Sequence, residues 1–319
     1  MMFIYHLGNI EGINFGNSLM DNTLSYASYP VCFFLMVSGY GLYYAYKNGK
    51  LTLNYILKRS LRLYFAFWIV LLLFISIISS IFYPGNFSYP LKIHLLNIIG
   101  WRWEYCKFTW FLLPYIFMSL SSPWVLKMID RLNPLVSVAV GIVTYLLTSF
   151  LISRFLITWL QSGLVLYHVM LWGQTLCSFI FGALLARRVK EGRSITWEKI
   201  RGNNYLIITL IVLLFVIRGQ IHTSAVNPFY SFLMVWLIIN MNISGFMKSI
   251  LLELGNKSMV MWFAHGFIAV RMFSEYFTLL HWPALIWLVW VIVSYIVAAL
   301  LIPVINKTAE ICLSSKPCG

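Results

Sequence analysis

Charge is what this 319-residue sequence has least of: charged residues make up 10%, and only nine of them are Asp or Glu. A soluble domain carries roughly 25% charged residues, so a water-soluble globule is excluded. With 61% hydrophobic residues, so are disorder and a collagen-like chain. Cysteine is scarce as well. The five (Cys32, Cys106, Cys177, Cys312 and Cys318) are odd in number and scattered, without metal-type spacing, which speaks against a disulfide scaffold and a metal site. Repeats and low-complexity tracts are absent. The longest polar interval, Arg187 to Asn203, is too small to fold alone. What is there is a mean hydropathy of +0.83, that of an integral membrane protein, and residues 1–319 read as one membrane domain with no separate soluble part.

A bilayer core of about 30 Å needs about 20 apolar residues in a helix. Nine complete runs qualify: Ser28 to Tyr46, Leu63 to Phe82, Phe108 to Met128, Pro134 to Ile152, Leu164 to Ala186, the shorter Asn204 to Ile217, Pro228 to Phe246, Ser258 to Phe277, and Pro283 to Ile305. Met1 to Ile10 reads as the outer half of a tenth span. It lacks the basic leader and small-residue cleavage site of a signal peptide, so insertion is expected to rely on the spans themselves. The expected fold is an all-α polytopic bundle of about ten transmembrane helices, the first incomplete.

The formal net charge of +14 would suggest nucleic acid in a soluble chain. Sorted by loop, however, 17 of the 23 Lys and Arg residues fall on one side, among them Lys47, Arg59, Arg62, Arg187, Lys257 and Lys316, and six on the other. That asymmetry is the positive-inside pattern. It predicts a multi-pass cell-membrane protein with the segment Asn9 to Ala27 outside, the C-terminus cytoplasmic and no nucleic-acid partner. Aromatic residues at 18% fit interfacial belts, with Trp101, Trp103 and Trp110 at one outer edge and Trp282 at another.

Ionisable groups are costly in hydrocarbon, so each is a functional candidate. His6, at the outer end of the first helix, has two readings: a general base within reach of an outer hydroxyl, or an interfacial histidine bonded to a neighbour. Arg59 and Arg62, at i and i+3 on one helix face, suit the phosphates of a nucleotide-like ligand, or serve as cytoplasmic anchors on anionic lipid. Ser38 and Gly39 lie inside a span, where small residues permit close helix packing. A nucleophilic Ser38 would need a base that its own helix does not offer. His265 is deeply placed, and its spacing puts it on a different face from Arg271. Glu104, Trp110, His168, Arg218 and His222 occupy the outer edge, where they either shape an acceptor site or form a solvated rim.

Three segments together resemble the acyltransferase 3 family of multi-spanning membrane O-acyltransferases. They are His6 followed by Phe33-Phe34-Leu35-Met36-Val37-Ser38-Gly39-Tyr40, the Arg59-Ser60-Leu61-Arg62 motif ahead of an apolar span, and Leu254-Gly255-Asn256-Lys257-Ser258 running on to His265. The likeness covers nearly the whole chain. The basic residue that the family's first helix carries eleven positions before the histidine falls upstream of Met1. The resemblance implies transfer of an acyl group, most often acetyl, from acyl-coenzyme A to a hydroxyl of a cell-surface or secreted glycan, without a metal. In that scheme His6 is the base, Arg59 and Arg62 bind acyl-coenzyme A, and Ser38, Gly39, Glu104, Trp110 and His265 line the site. The same composition and span count would serve a transporter or exporter of a glycan or glycolipid intermediate. They would also serve a membrane subunit without chemistry. Paired repeats and helices broken at mid-membrane, the marks of many transporters, are not evident.

Overall fold

In lipid every backbone N–H and C=O has to be satisfied within its own segment, which leaves helices as the solution for this chain's apolar runs. The computed structural model describes residues 2–7, 10, 17–27, 29–156 and 165–314, and among them helix is the only regular structure. The elements in order are α1 (Met2–Leu7), α2 (Ser18–Ala27), α3 (Val31–Lys47), α4 (Leu53–Phe82), α5 (Leu91–Ile98) and α6 (Lys107–Arg131). They continue with α7 (Pro134–Phe155), α8 (Val165–Lys190), α9 (Asn204–Gln220), α10 (Ser224–Ile239), α11 (Gly245–Gly266), α12 (Ser274–Thr278) and α13 (Pro283–Ser314). The molecule is an all-α membrane bundle.

Every predicted run overlaps a helix. Five helices (α4, α6, α7, α8 and α13) are long and apolar enough to cross a bilayer, and α9 and α10 are shorter apolar helices. The starting residues Ser28 and Leu164 of two predicted runs, Asn9 and Glu11 to Gly16 of the outer segment, Lys316 and Cys318 lie outside the described residues.

Two boundaries differ from expectation. The run Pro228 to Phe246 stops being helical at Ile239. There the buried Asn240 turns its side chain back, donating to the Trp236 carbonyl (2.8 Å) and accepting from the Trp197 amide (2.8 Å). Helix α11 instead starts 13 residues before Ser258, capped by Ser244. After Gly266 it widens into a π-helical turn, Phe267–Met272, and ends at Phe273.

The chain divides into two compact units. The first comprises Met1–Ser25, Leu57–Trp110 and Ile243–Gly319. In it α11 packs lengthwise on α13, and the short α1 rests on α13. Contact of the Phe67 and Phe263 rings (5.3 Å) and stacking of Phe74 on Phe267 (5.1 Å) set α4 beside α11. Both pairs advance along both helices, so α4 and α11 run parallel. Between them in sequence, α5 is tied to α4 by Tyr64 and Trp68, which donate to the Ile99 and Ile98 carbonyls (2.9 Å each).

The second unit comprises Tyr26–Ile56 and Phe111–Asn242. Its centre is α8: 72% of that helix's apolar window is buried, against 22% for α7. Helices α3, α6 and α7 pack around it. The α3 to α8 contact is built on two glycines. A Cβ on Gly39 would stand 2.1 Å from the Phe179 carbonyl oxygen, and one on Gly182 would stand 1.9 Å from that of Met36. Backbones meet directly, as small residues allow.

Candidate functional site

The first unit gathers its aromatic and imidazole side chains where α1, α11 and α13 converge. Phe3 and His6 lie one turn apart on α1. Phe3 contacts the rings of His265 (5.6 Å) and Trp290 (5.1 Å), the latter on α13. His6 packs on Phe108 at 3.9 Å and stands 5.2 Å from His265. Phe108 in turn lies 5.3 Å from His265. The two histidines, from opposite ends of the chain, thus share one aromatic wall.

Local chemistry fixes His265. It is fully buried, its Nδ1 donates to the Trp262 carbonyl, and its own carbonyl accepts from Trp290 Nε1 at 2.9 Å. The π turn begins two residues on, a feature frequent at functional sites. Gly266 lets the wall close: a Cβ there would stand 2.3 Å from Phe108 Cδ2 and 2.6 Å from Cys106 Sγ.

Arg59 and Arg62 sit in the first part of α4, Arg59 half-buried with its Nε enclosed and Arg62 exposed. The Phe67 to Phe263 contact gives their level. Arg62 is five residues before that contact and His265 two after it, so at 1.5 Å per residue they stand about 10 Å apart along the bundle, and Arg59 and His265 about 15 Å apart.

The other predicted residues are placed differently. Glu104 is held in the loop after α5, its oxygens engaged by Arg102 Nε (2.6 Å) and by Nδ2 of the buried Asn97 (2.7 Å). Trp110 is half-buried in the first turn of α6, two residues after Phe108. Ser38 and Gly39 belong to the second unit. Ser38 Oγ lies 3.2 Å from the Tyr115 hydroxyl, and Gly39 packs on α8.

Two residues read as rim candidates are buried rather than solvated, His168 at 2% and Arg218 at 3% exposure. The Arg218 guanidinium is satisfied by the Ile221 and Thr223 carbonyls and by Asn227 Oδ1, as a buried cation has to be. As expected, Arg271 does not share the face of His265. It is exposed and lies over the Phe87 ring.

Phe3, Phe108, Gly266 and Trp290 escaped the sequence reading. An apolar ring in an apolar helix gives no local sign that it will meet a histidine from another segment. Among the described residues no group of three His, Cys, Asp or Glu side chains is placed to hold a metal ion.

Compared with known proteins, the chain matches the family model described as an acyltransferase domain over residues 1–305, a stretch that runs through both units. No curated protein and no solved structure matches it. An all-helical membrane bundle matched to this model over almost its full length is a membrane acyltransferase, and the chain belongs to the acyltransferase 3 family.

Proposed function

We propose that residues 1–319 act as one catalytic membrane domain that transfers an acetyl or other short acyl group from acyl-coenzyme A to a hydroxyl of a cell-surface or secreted polysaccharide. The observation that carries this reading is the spacing within the first unit. A basic pair on α4 lies about 10 to 15 Å along the bundle from the buried His265, whose ring stands beside that of His6. Phosphates of the donor suit the planar guanidinium forks of Arg59 and Arg62. The extended pantetheine arm of coenzyme A would then carry the thioester inward toward His6.

In this scheme His6 takes the proton of the acceptor hydroxyl as the oxygen attacks the thioester carbonyl. The tetrahedral intermediate collapses with cleavage of the C–S bond. Coenzyme A leaves as its thiolate and receives the proton, and the acyl group remains on the sugar oxygen as an ester. Phe108 and His265 pack against the His6 imidazole, and Phe3 and Trp290 pack behind His265, which would keep competing water away. Glu104 and Trp110 flank Phe108 in sequence and would meet the glycan. The excess of basic residues on alternate loops orients the chain with Arg59, Arg62 and the C-terminus in the cytoplasm, where coenzyme A resides.

The test is transfer of labelled acetyl from acetyl-coenzyme A to glycan in membranes holding the wild-type chain, its His6→Ala variant, or neither. Label that requires the protein and falls about 10²- to 10⁴-fold in the variant is the expected result for a lost general base. Equal labelling by both proteins would remove His6 from the chemistry. Absence of label from a correctly inserted wild-type chain would overturn acetyl-coenzyme A as donor.

A further inference from the structure

His265 is immobilised on one edge and open on the other. Its Nδ1 faces the Trp262 carbonyl, which can only accept, so the proton of the neutral ring sits on Nδ1 and Nε2 is a bare acceptor. The ring is fully buried among Phe3, Phe108 and Trp290, and its Nε2 has no hydrogen-bond partner among the described residues. A buried acceptor without a donor carries a desolvation penalty, so its retention calls for an explanation.

The His6 ring supplies one. It stands 5.2 Å away, centre to centre, with 34° between the planes. Two imidazoles joined by a single N–H···N bond of about 2.9 Å stand about 5 Å apart in the same measure. Separation is therefore already that of a bonded pair, and rotation of the half-buried His6 ring completes it.

We propose that His265 is the positioning partner of His6. Its Nε2 accepts an N–H from His6, which fixes His6 in one tautomer and leaves the other His6 nitrogen bare for the acceptor hydroxyl. When His6 takes the hydroxyl proton, His265 holds the resulting imidazolium by the same bond and stays neutral. The proton then passes from His6 to the departing thiolate, and both rings return to their starting state. The arrangement follows the logic of base and orienter in hydrolytic triads, with an imidazole as orienter. This inference rests on His6 as the base.

The experiment uses the full chain in nanodiscs with ¹⁵N-labelled histidine. Nitrogen chemical shifts are compared in the wild type, His265→Phe, which keeps a packed ring but removes the acceptor, and His265→Gln, which restores an acceptor near the Nε2 position. The His6 signals are identified by their loss in His6→Gln. The expected result is a single hydrogen-bonded His6 tautomer in the wild type, a mixture in His265→Phe and partial recovery in His265→Gln. In parallel kcat should fall by up to about 10⁴-fold in His265→Phe, the loss for a base held in the wrong tautomer, with KM for the acyl donor unchanged and kcat partly rescued by Gln.

Identical His6 signals in the wild type and His265→Phe would overturn the proposal. So would a tautomer mixture in the wild type, which decides the matter even where the Phe variant does not fold. Coupled nitrogens in a wild-type chain without acyl transfer would instead overturn the acyl-transfer reading and leave the pair intact.

Discussion

Gly39 on α3 abuts the carbonyl of Phe179 on α8 so closely that a Cβ at that position would stand 2.1 Å from the oxygen. Backbone cannot yield as a side chain does. Gly39→Ala is therefore expected to destabilise the second unit by about 3 kcal/mol, the upper end of overpacking penalties. Gly41, two residues on, has nothing within 4 Å of its Cβ position. Gly41→Ala should hold or raise stability, since Ala is the better helix former by about 1 kcal/mol. Thermal unfolding in detergent, followed by fluorescence, separates the two. Equal melting temperatures would show that α3 and α8 do not meet through Gly39.

Gly266→Ala makes a complementary test in the first unit. The added methyl would run into Phe108 Cδ2 at 2.3 Å and Cys106 Sγ at 2.6 Å, both side-chain atoms that can move. The expected outcome is a folded protein in which the Phe108 ring has shifted off His6 and His265. Acyl transfer should fall by up to about 10²-fold, as an ångström's misplacement at a site does. Wild-type turnover in this variant would detach Phe108 from the site.

Replacing Arg59 and Arg62 together with Ala should raise KM for acyl-coenzyme A, by about 10-fold for each lost charged contact worth about 1.5 kcal/mol. Membrane insertion should be unchanged, because most of the 23 basic residues remain to set topology. Steady-state kinetics over a range of donor concentrations checks the first point, and protease accessibility of the loops checks the second. A fall in kcat at unchanged KM would move the pair from donor binding to chemistry.

Asn227→Ala removes the oxygen that holds Arg218 Nε at 3.1 Å and leaves the buried guanidinium short of an acceptor. Hydrogen bonds to charged groups contribute about 1.5–3 kcal/mol each, so a loss of stability of that size is expected. Asn227→Asp should restore it. Thermal melts of the three proteins decide this.

The apolar runs were legible because lipid burial leaves a signal in composition alone: Pro134, Asn204 and Pro283 begin helices where the sequence reading put them. The start of α11 was not, since Lys248, Glu253 and Lys257 lower the hydropathy of a stretch that is nonetheless helical. Nor was the end of the run from Pro228, because an asparagine that stops a helix looks locally like one that caps a loop. At the site, His6 and His265 were each singled out as ionisable groups in hydrocarbon. Their contact depends on how α1 and α11 dock, which no local pattern encodes. Burial of Arg218 was hidden for a related reason: its partners, Ile221, Thr223 and Asn227, become acceptors only once the turn after α9 has formed.

The parallel course of α4 and α11 carries a parity rule. Two helices that cross a bilayer in the same direction require an odd number of crossings between them. Three of the helices between them, α6, α7 and α8, are long enough to cross, and α9 and α10 are shorter. Three and five are both odd, but four is not. For an α11 that crosses alongside α4, the short helices traverse the membrane as a pair or lie together on one side of it, and a label attached to the turn at Ile221 to Thr223 reports on both at once.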